Sequence, residues 1–199
     1  MTLRPEQVKA KEYLHQKGTL LPVAQIHERV GAAFAALEVL LAGVTEAEAR
    51  VRAIPGEWTI QEVVDHLIET HRPSLVELRD LLQNRRPVAG PIPASLQSVE
   101  PMGHRYGDLM GALKGLHAEA LRVLSLATDQ LTDARAPLVM VMNVKEPDGR
   151  QTPLHWIEEL DWKAYAITAF RLHELDHLNQ VKKTLKAARG DRGQPPETR

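Results

Sequence analysis

Two histidines near the C-terminal end of the chain have the spacing of metal ligands. His173 and His177 are four residues apart, so a helix would place both imidazoles on one face, about one turn apart. Nine histidines placed at random in 199 residues would give about 0.4 such pairs, so the spacing alone proves little. Their position says more. Phe170 and Val181 continue the same three-and-four rhythm and predict that this face lies toward the interior of a helical protein.

A third histidine, His66, lies on the apolar stripe of another predicted helix. Three neutral imidazoles from two helices can bind a divalent metal and leave coordination positions open for water or substrate. Glu62, one turn before His66, and Gln180, three residues after His177, could reach such a site or orient its ligands. The spacing is equally compatible with buried core histidines that are hydrogen-bonded to carbonyls or carboxylates, and both interpretations stay open at this point.

Four long segments have apolar residues at alternating spacings of three and four, the pattern of amphipathic helices. We expect these helices at about residues 23–43, 59–84, 105–127 and 154–188, after a short charged helix at 4–17 that Gly18 ends. Thr59 and Glu62 have the spacing of a capping box, which marks the start of the second long helix. The chain is therefore predicted to be an all-α four-helix bundle, with one domain at 1–189 and a disordered tail at 190–199.

Prolines predict where the helices are interrupted. Pro73 lacks a backbone donor, so we expect a kink or a restart of the second long helix there. The segment 85–103 contains four prolines and is predicted to be a long loop. Residues 137–153 are β-favouring with a central turn signal, which predicts a small hairpin or an irregular excursion. Thr152 and Pro153 then have the order of an N-cap and a first helical residue.

The overall composition excludes several classes of function. The formal net charge is −1 and the pI is about 6.8, which argues against a general nucleic-acid or anionic-membrane surface. The chain has no cysteine, so it has neither disulfides, nor thiolate metal ligands, nor a sulfur nucleophile of its own. No signal peptide or long apolar run is evident, and we expect a cytoplasmic protein.

Two short motifs resemble those of the DinB/YfiT-like superfamily. Residues 57–67, EWTIQEVVDHL, are similar to the superfamily's W-[ST]-x-x-E-[VI]-x-x-H-[LI] motif at the start of helix two. Residues 173–180, HELDHLNQ, are similar to its H-x-x-x-H-x-x-Q element on the last helix. The resemblance implies an up-down-down-up four-helix bundle and a metal site of three histidines. It assigns the ligand role to His66, His173 and His177.

The resemblance also implies a reaction class. Such a metal would activate either water, as in a hydrolase, or a low-molecular-weight thiol, as in an S-transferase, for attack on a small-molecule substrate. Zinc or nickel ranks first among the metals, followed by iron and manganese. The candidate catalytic side chains are Glu62 and His155, which would open the last helix near the metal. Glu174 is a further carboxylate, expected to point away from the site because it adjoins His173.

Two alternatives belong to other functional classes. The bundle could be a metal- or ligand-binding module without catalysis, for example in a stress response, or a plain helical scaffold without metal. A homodimer formed through apolar helix faces is compatible with all of these functions, although no residue specifies it.

Overall fold

The computed structural model describes residues 3–146 and 148–190. Within them, the helices are α1 (Pro5–Leu14), α2 (Val23–Ala42), α3 (Glu46–Arg50), α4 (Ile60–Leu82), α5 (Tyr106–Ser125), α6 (Trp162–Ala166) and α7 (His173–Arg189). A π-helical turn (His15–Thr19) follows α1, and a second π-helical stretch (Ile167–Leu172) joins α6 to α7. We refer to α6, this stretch and α7 together as the C-terminal helical segment, which forms a bundle with α2, α4 and α5.

A β-hairpin interrupts the helical pattern between α5 and α6. Strands β1 (Ala136–Lys145) and β2 (Gln151–Leu160) pair antiparallel over their full length, from Ala136 opposite Leu160 to Lys145 opposite Gln151. Exposed and partly buried residues alternate along β2, as expected for a ribbon with one face toward the protein. The fold is therefore mostly helical with a two-stranded sheet, rather than strictly all-α.

Contacts between helix ends define the directions of the first three bundle helices. Tyr106, the first residue of α5, donates a hydrogen bond from its hydroxyl to the carbonyl of Leu41, near the end of α2, so these helices are antiparallel. Arg79 and Glu119 form an ion pair and both lie in the second halves of their helices, so α4 and α5 are parallel. A parallel pair of consecutive helices needs a long crossover, and residues 83–105 provide it.

The C-terminal helical segment runs antiparallel to α4. Tyr165, at its start, donates a 2.5 Å hydrogen bond to Glu77, late in α4, whereas His177 lies beside His66, early in α4. Taken with the pairs above, the four long segments run up, down, down and up.

The predicted start of the last helix at residue 154 is wrong. The chain continues as β2 to Leu160, and the helix begins at Trp162, where Asp161 accepts hydrogen bonds from the amides of Lys163 and Ala164 as the N-cap. Pro153 is accommodated in β2 because a two-stranded ribbon has an outward edge on each strand. His155 consequently lies on β2 and is exposed, rather than opening a helix.

The predicted restart of the helix at Pro73 and the predicted helix end at Gly18 are also wrong. Helix α4 continues through Pro73, and the hydroxyls of Thr70 and Ser74 donate to carbonyls of the turn around the proline. Gly18 does not end the first helix, which continues as the π-helical turn to Thr19. This glycine instead allows close packing, because a Cβ at position 18 would lie 2.8 Å from Cα of Ala164.

The apolar core consists of two clusters separated along the bundle axis. One cluster surrounds the hairpin end and includes Phe34, Leu75, Leu78, Ala120 and Phe170. The other occupies the opposite end and includes Leu37, Val64, Leu67, Leu113 and Leu178. Buried polar and titratable residues occupy the layer between them, including Thr70, His71, His117 and Glu174.

Two sequence expectations concern the ends and surface of the chain. Apart from Gly190, the tail predicted at 190–199 lies outside the described residues. Among the residues that the structure does describe, no helix combines the length and the apolarity needed to cross a bilayer.

Replacing Gly18 with alanine is expected to destabilise the protein by about 1–3 kcal/mol, because the added methyl group overlaps the backbone of Ala164. Gly115→Ala is the matched control. Gly115 is exposed in the middle of α5 with open space around it, so alanine should stabilise the protein by about 0.5–1 kcal/mol. Urea unfolding of both variants measures the difference, and equal midpoints would contradict the packing role of Gly18.

Candidate metal centre

Three imidazole nitrogens converge between α4 and α7. Nε2 of His173 lies 2.9 Å from Nε2 of His66 and 3.0 Å from Nε2 of His177. His66 and His177 are buried, whereas His173 is partly exposed. The structure therefore brings together the three residues predicted from the two motifs, with their ring nitrogens aimed at a common point.

The crossover loop fixes the orientation of His66. Its Nδ1 lies 2.7 Å from the carbonyl oxygen of Leu96 and donates to it. The loop is held against α4 by Asp65, whose carboxylate accepts from the backbone amide and the hydroxyl of Ser98 at 2.8 and 2.7 Å. Because Nδ1 of His66 carries the hydrogen, its Nε2 presents a lone pair to the other two rings.

A side chain on α7 fixes the orientation of His177 in the same way. Nδ1 of His177 donates to Oε1 of Gln180 over 2.8 Å, which also leaves a lone pair on Nε2. His173 Nε2 can donate its single hydrogen to only one of these two nitrogens. At least one of the two lone pairs therefore has no donor among the three rings, and a shared cation would satisfy it.

Burial keeps all three rings neutral. Burial, with a smaller effect of the nearby His177 ring, lowers the pKa of His66 to about 4. Burial also lowers the pKa of His177, although the Gln180 hydrogen bond opposes this shift. The pKa of His173 lies well below its ordinary value because of burial and the adjacent histidines. Neutral imidazole is the form that binds metals.

The separations of the nitrogens fit one ion. Two donors about 2.1 Å from a shared metal lie about 3.0 Å apart at a right angle and about 3.4 Å apart at a tetrahedral angle. The two separations from Nε2 of His173, 2.9 and 3.0 Å, lie within reach of two donors on one metal. A metal held in this way by three ligands would keep further coordination positions for water or substrate.

An aromatic side chain that the sequence analysis did not assign to the site covers one side of it. The ring of Trp58 lies 4.9 Å from the His66 ring and is stacked near-parallel to the His177 ring at 6.3 Å. Trp58 immediately precedes the N-cap of α4, and this position in the motif was the available signal.

A cavity of about 610 Å³ between the ends of α4 and α5 has no histidine in its lining.

The two predicted catalytic side chains lie elsewhere. The Glu62 carboxylate caps α4 by accepting from the amide of Thr59 and forms an ion pair with Arg52. Burial raises the pKa of Glu62, but these hydrogen bonds outweigh burial and lower it overall, so Glu62 is a committed anion. His155 is exposed on β2.

Gln180, predicted as a ligand or an orienting residue, orients His177. Three further buried residues that could hold a metal, His71, His117 and Glu174, form a second cluster. His71 and His117 were not predicted as site residues. Glu174 points away from the three-histidine centre, as expected, but it is fully buried in the bundle interior.

Comparison with known proteins supports this architecture. The family model of the DinB superfamily matches residues 30–162, a range that contains His66 and ends before His173 and His177. No curated protein matches the chain.

Two solved structures share the fold. TT2238, a four-helix bundle protein, is 20% identical with a TM-score of 0.52, and the similarity covers 81% of this chain and 98% of that one. YfiT from Bacillus subtilis is described as a probable metal-dependent hydrolase with an unusual four-helix bundle topology. It is 18% identical with a TM-score of 0.54, over 81% of this chain and 86% of that one.

The buried histidines make the metal-free protein sensitive to acid. Unfolded His66 binds a proton near its ordinary pKa of 6.5 and folded His66 only near 4, so stability is lost as pH falls between these values. The loss from His66 alone is roughly 3 kcal/mol at most. Urea unfolding with a chelator present, from pH 7 to pH 4.5, should show a shallower dependence for His66→Gln. His104→Gln changes an exposed ring and should keep the wild-type slope. If the stability of His66→Gln depended on pH as steeply as that of wild type, the low pKa assigned to His66 would be contradicted.

Proposed function

Because the chain belongs to the DinB superfamily, we propose that it is a divalent-metal-dependent enzyme that acts on a small molecule at the centre formed by His66, His173 and His177. The observation that carries the proposal is the convergence of three neutral Nε2 atoms, two of them fixed by hydrogen bonds at the opposite ring nitrogen. A histidine buried only for packing has no need of a second neutral ring at 3.0 Å or less.

The residues of the centre have distinct tasks. The three imidazoles contribute no charge, so a bound divalent metal would keep its full positive charge and lower the pKa of a water or thiol that it binds. The Leu96 carbonyl and Gln180 hold two rings in place, which limits the reorganisation needed for binding. Trp58 covers one side of the centre. Zinc and nickel are the first metals to test, then iron and manganese.

Activated water is the first nucleophile to test. The description of YfiT as a probable metal-dependent hydrolase supports a hydrolase of the same type. The chain has no cysteine, so a thiol reaction would require a low-molecular-weight thiol as co-substrate. Glu62 is already engaged by Thr59 and Arg52 and is not assigned as the general base.

Metal content tests the proposal directly. Wild-type protein, equilibrated with zinc or nickel, freed of unbound metal and analysed for elements, should hold at least one equivalent. His177→Ala should hold one equivalent fewer, because two imidazoles bind more weakly than three. His155→Gln alters a histidine on the exposed hairpin and should keep the wild-type metal content. Equal metal content in wild type and His177→Ala would overturn the proposed centre.

Activity assays on the metal-loaded protein separate the alternatives. Ester, amide and phosphoester substrates are assayed with and without added small thiols, before and after chelation. Turnover without thiol that is lost on chelation supports a hydrolase, and turnover only with thiol supports a transferase. Metal bound at His177 without turnover of any substrate would favour a binding module.

Gln180→Leu is expected to weaken metal binding at this centre about 10–100-fold, because His177 loses the acceptor that fixes its tautomer and orientation. Asn179→Leu is the matched control, since Asn179 is the neighbouring exposed amide on α7. Competition titration against a chromophoric zinc chelator measures both affinities. Equal affinities in the two variants would contradict the orienting role of Gln180.

A further inference from the structure

We propose that His71, His117 and Glu174 form a second divalent-metal site, deeper in the bundle and separate from the three-histidine centre. The three side chains come from α4, α5 and α7, and one donor atom from each lies within 4.8 Å of the others. Their exposed fractions are 1%, 2% and 0%. This proposal does not depend on the proposed function, because it uses different side chains.

The cluster contains polar atoms that the described protein residues leave unpaired. Neither ring nitrogen of His71, nor Nε2 of His117, nor either oxygen of Glu174 has a well-aligned hydrogen bond to another described residue. Each such buried group destabilises the folded state, and more so when it is charged. Five atoms of this kind in one place would be a large penalty in a domain of ordinary stability, unless a ligand satisfies them.

The chemistry of His117 points to a cation. Its Nδ1 donates to the Glu38 carboxylate over 2.7 Å, and its ring stacks on Phe34 with centroids 3.9 Å apart. The other ring nitrogen, Nε2, faces Oε1 of Glu174 at 3.4 Å. An imidazole whose outer nitrogen donates to a carboxylate is a common arrangement at metal sites, where the carboxylate fixes the tautomer and makes the ligand more basic.

The separations in the cluster also fit one ion. Oε1 of Glu174 lies 3.2 Å from Nε2 of His71 and 3.4 Å from Nε2 of His117. Donors about 2.1 Å from one ion lie about 3.0–3.4 Å apart at angles between about 90° and 109°. Two imidazoles and one carboxylate are a mixed nitrogen and oxygen set that suits zinc, iron(II), manganese or cobalt.

A proton shared between Glu174 and a histidine is the competing explanation. Burial raises the pKa of Glu174 and lowers that of His71, so both of these groups would favour their neutral forms without a metal. A neutral carboxyl group would then donate to a ring nitrogen, but neither close contact is aligned as a hydrogen bond. The two close contacts of Glu174 Oε1, neither of them aligned as a hydrogen bond, therefore favour a metal.

The two clusters are neighbours. The rings of His71 and His173 have centroids 6.1 Å apart, and His173 and Glu174 are consecutive residues of α7. The experiment must therefore distinguish one site from the other by metal content and spectrum rather than by activity alone.

Cobalt(II) and zinc loading with elemental analysis tests the second site. Wild type should bind two equivalents, and Glu174→Gln and His117→Gln should each bind one. His177→Ala should also bind one, and its combination with Glu174→Gln none. Glu77→Gln is the matched control, because Glu77 is a buried carboxylate bonded to Tyr165 outside the cluster, and it should keep two. The cobalt spectrum of Glu174→Gln should be that of three nitrogen ligands, and that of His177→Ala should show the mixed set.

Glu38→Gln decides the question if the buried variants fail to fold, since the Glu38 side chain is 29% exposed. Glu38→Gln should weaken metal binding at the second site about 10–100-fold and leave the affinity of the three-histidine centre unchanged. One equivalent in wild type that His177→Ala abolishes would overturn the second site and leave the proposed function intact. Two equivalents with Glu174→Gln and Glu38→Gln both unchanged would overturn it as well. Loss of metal only in Glu174→Gln and His117→Gln would instead overturn the three-histidine centre.

Discussion

The structure depends on a layer of buried titratable side chains that divides the apolar interior in two. Three helices of the bundle each carry a buried polar residue at the same level along the bundle axis, where an apolar residue would be expected. These residues are His71 on α4, His117 on α5 and Glu174 on α7. Apolar residues of the two clusters lie on either side of each. A layer of leucines would cost nothing to bury, whereas each unsatisfied polar group here costs about 1–3 kcal/mol. The unsatisfied polar groups of this layer therefore lower the free energy of unfolding. A ligand that satisfies them would determine both the stability of the protein and the chemistry of the layer.

The topology of the bundle contributes directly to the site. Because α4 and α5 are parallel, their connection must return along the length of the bundle, and it crosses the outer face of α4. There it makes Asp65 and Gln61 buried polar residues, each paired with the loop: Asp65 with Ser98 and Gln61 with the carbonyl of His104. The same loop presents the Leu96 carbonyl to His66. A short hairpin between antiparallel helices would leave His66 without this partner, so the crossover helps to build the three-histidine cluster and does not only connect two helices.

Features that depend on neighbouring residues, such as a helix cap, could be predicted from the sequence. Features that depend on contacts with distant residues could not. Thr59 caps α4 as expected, because a capping box is complete within four residues. His155 was misplaced because Thr152 and Pro153 imitate a helix start, and a short apolar run suits a strand as well as a helix. Glu174 was missed although Leu178, Val181 and Leu185 continue its stripe at helical spacing, because a carboxylate is buried only when distant partners accept it.

The adjacency of His173 and Glu174 joins the two clusters into one physical system. The side chains of consecutive helix residues project about 100° apart. Helix α7 can therefore contribute a residue to each of two neighbouring clusters only where both directions point into the bundle. The π-helical stretch that ends at Leu172 sets this rotation immediately before the two residues. A ligand that fixes His173 therefore also fixes the backbone that carries Glu174. Since any ion bound only by the folded state contributes its binding free energy to folding, occupation of either cluster would stabilise the layer shared by both. The cost of burying these side chains and the proposed metal binding would thus have the same physical origin.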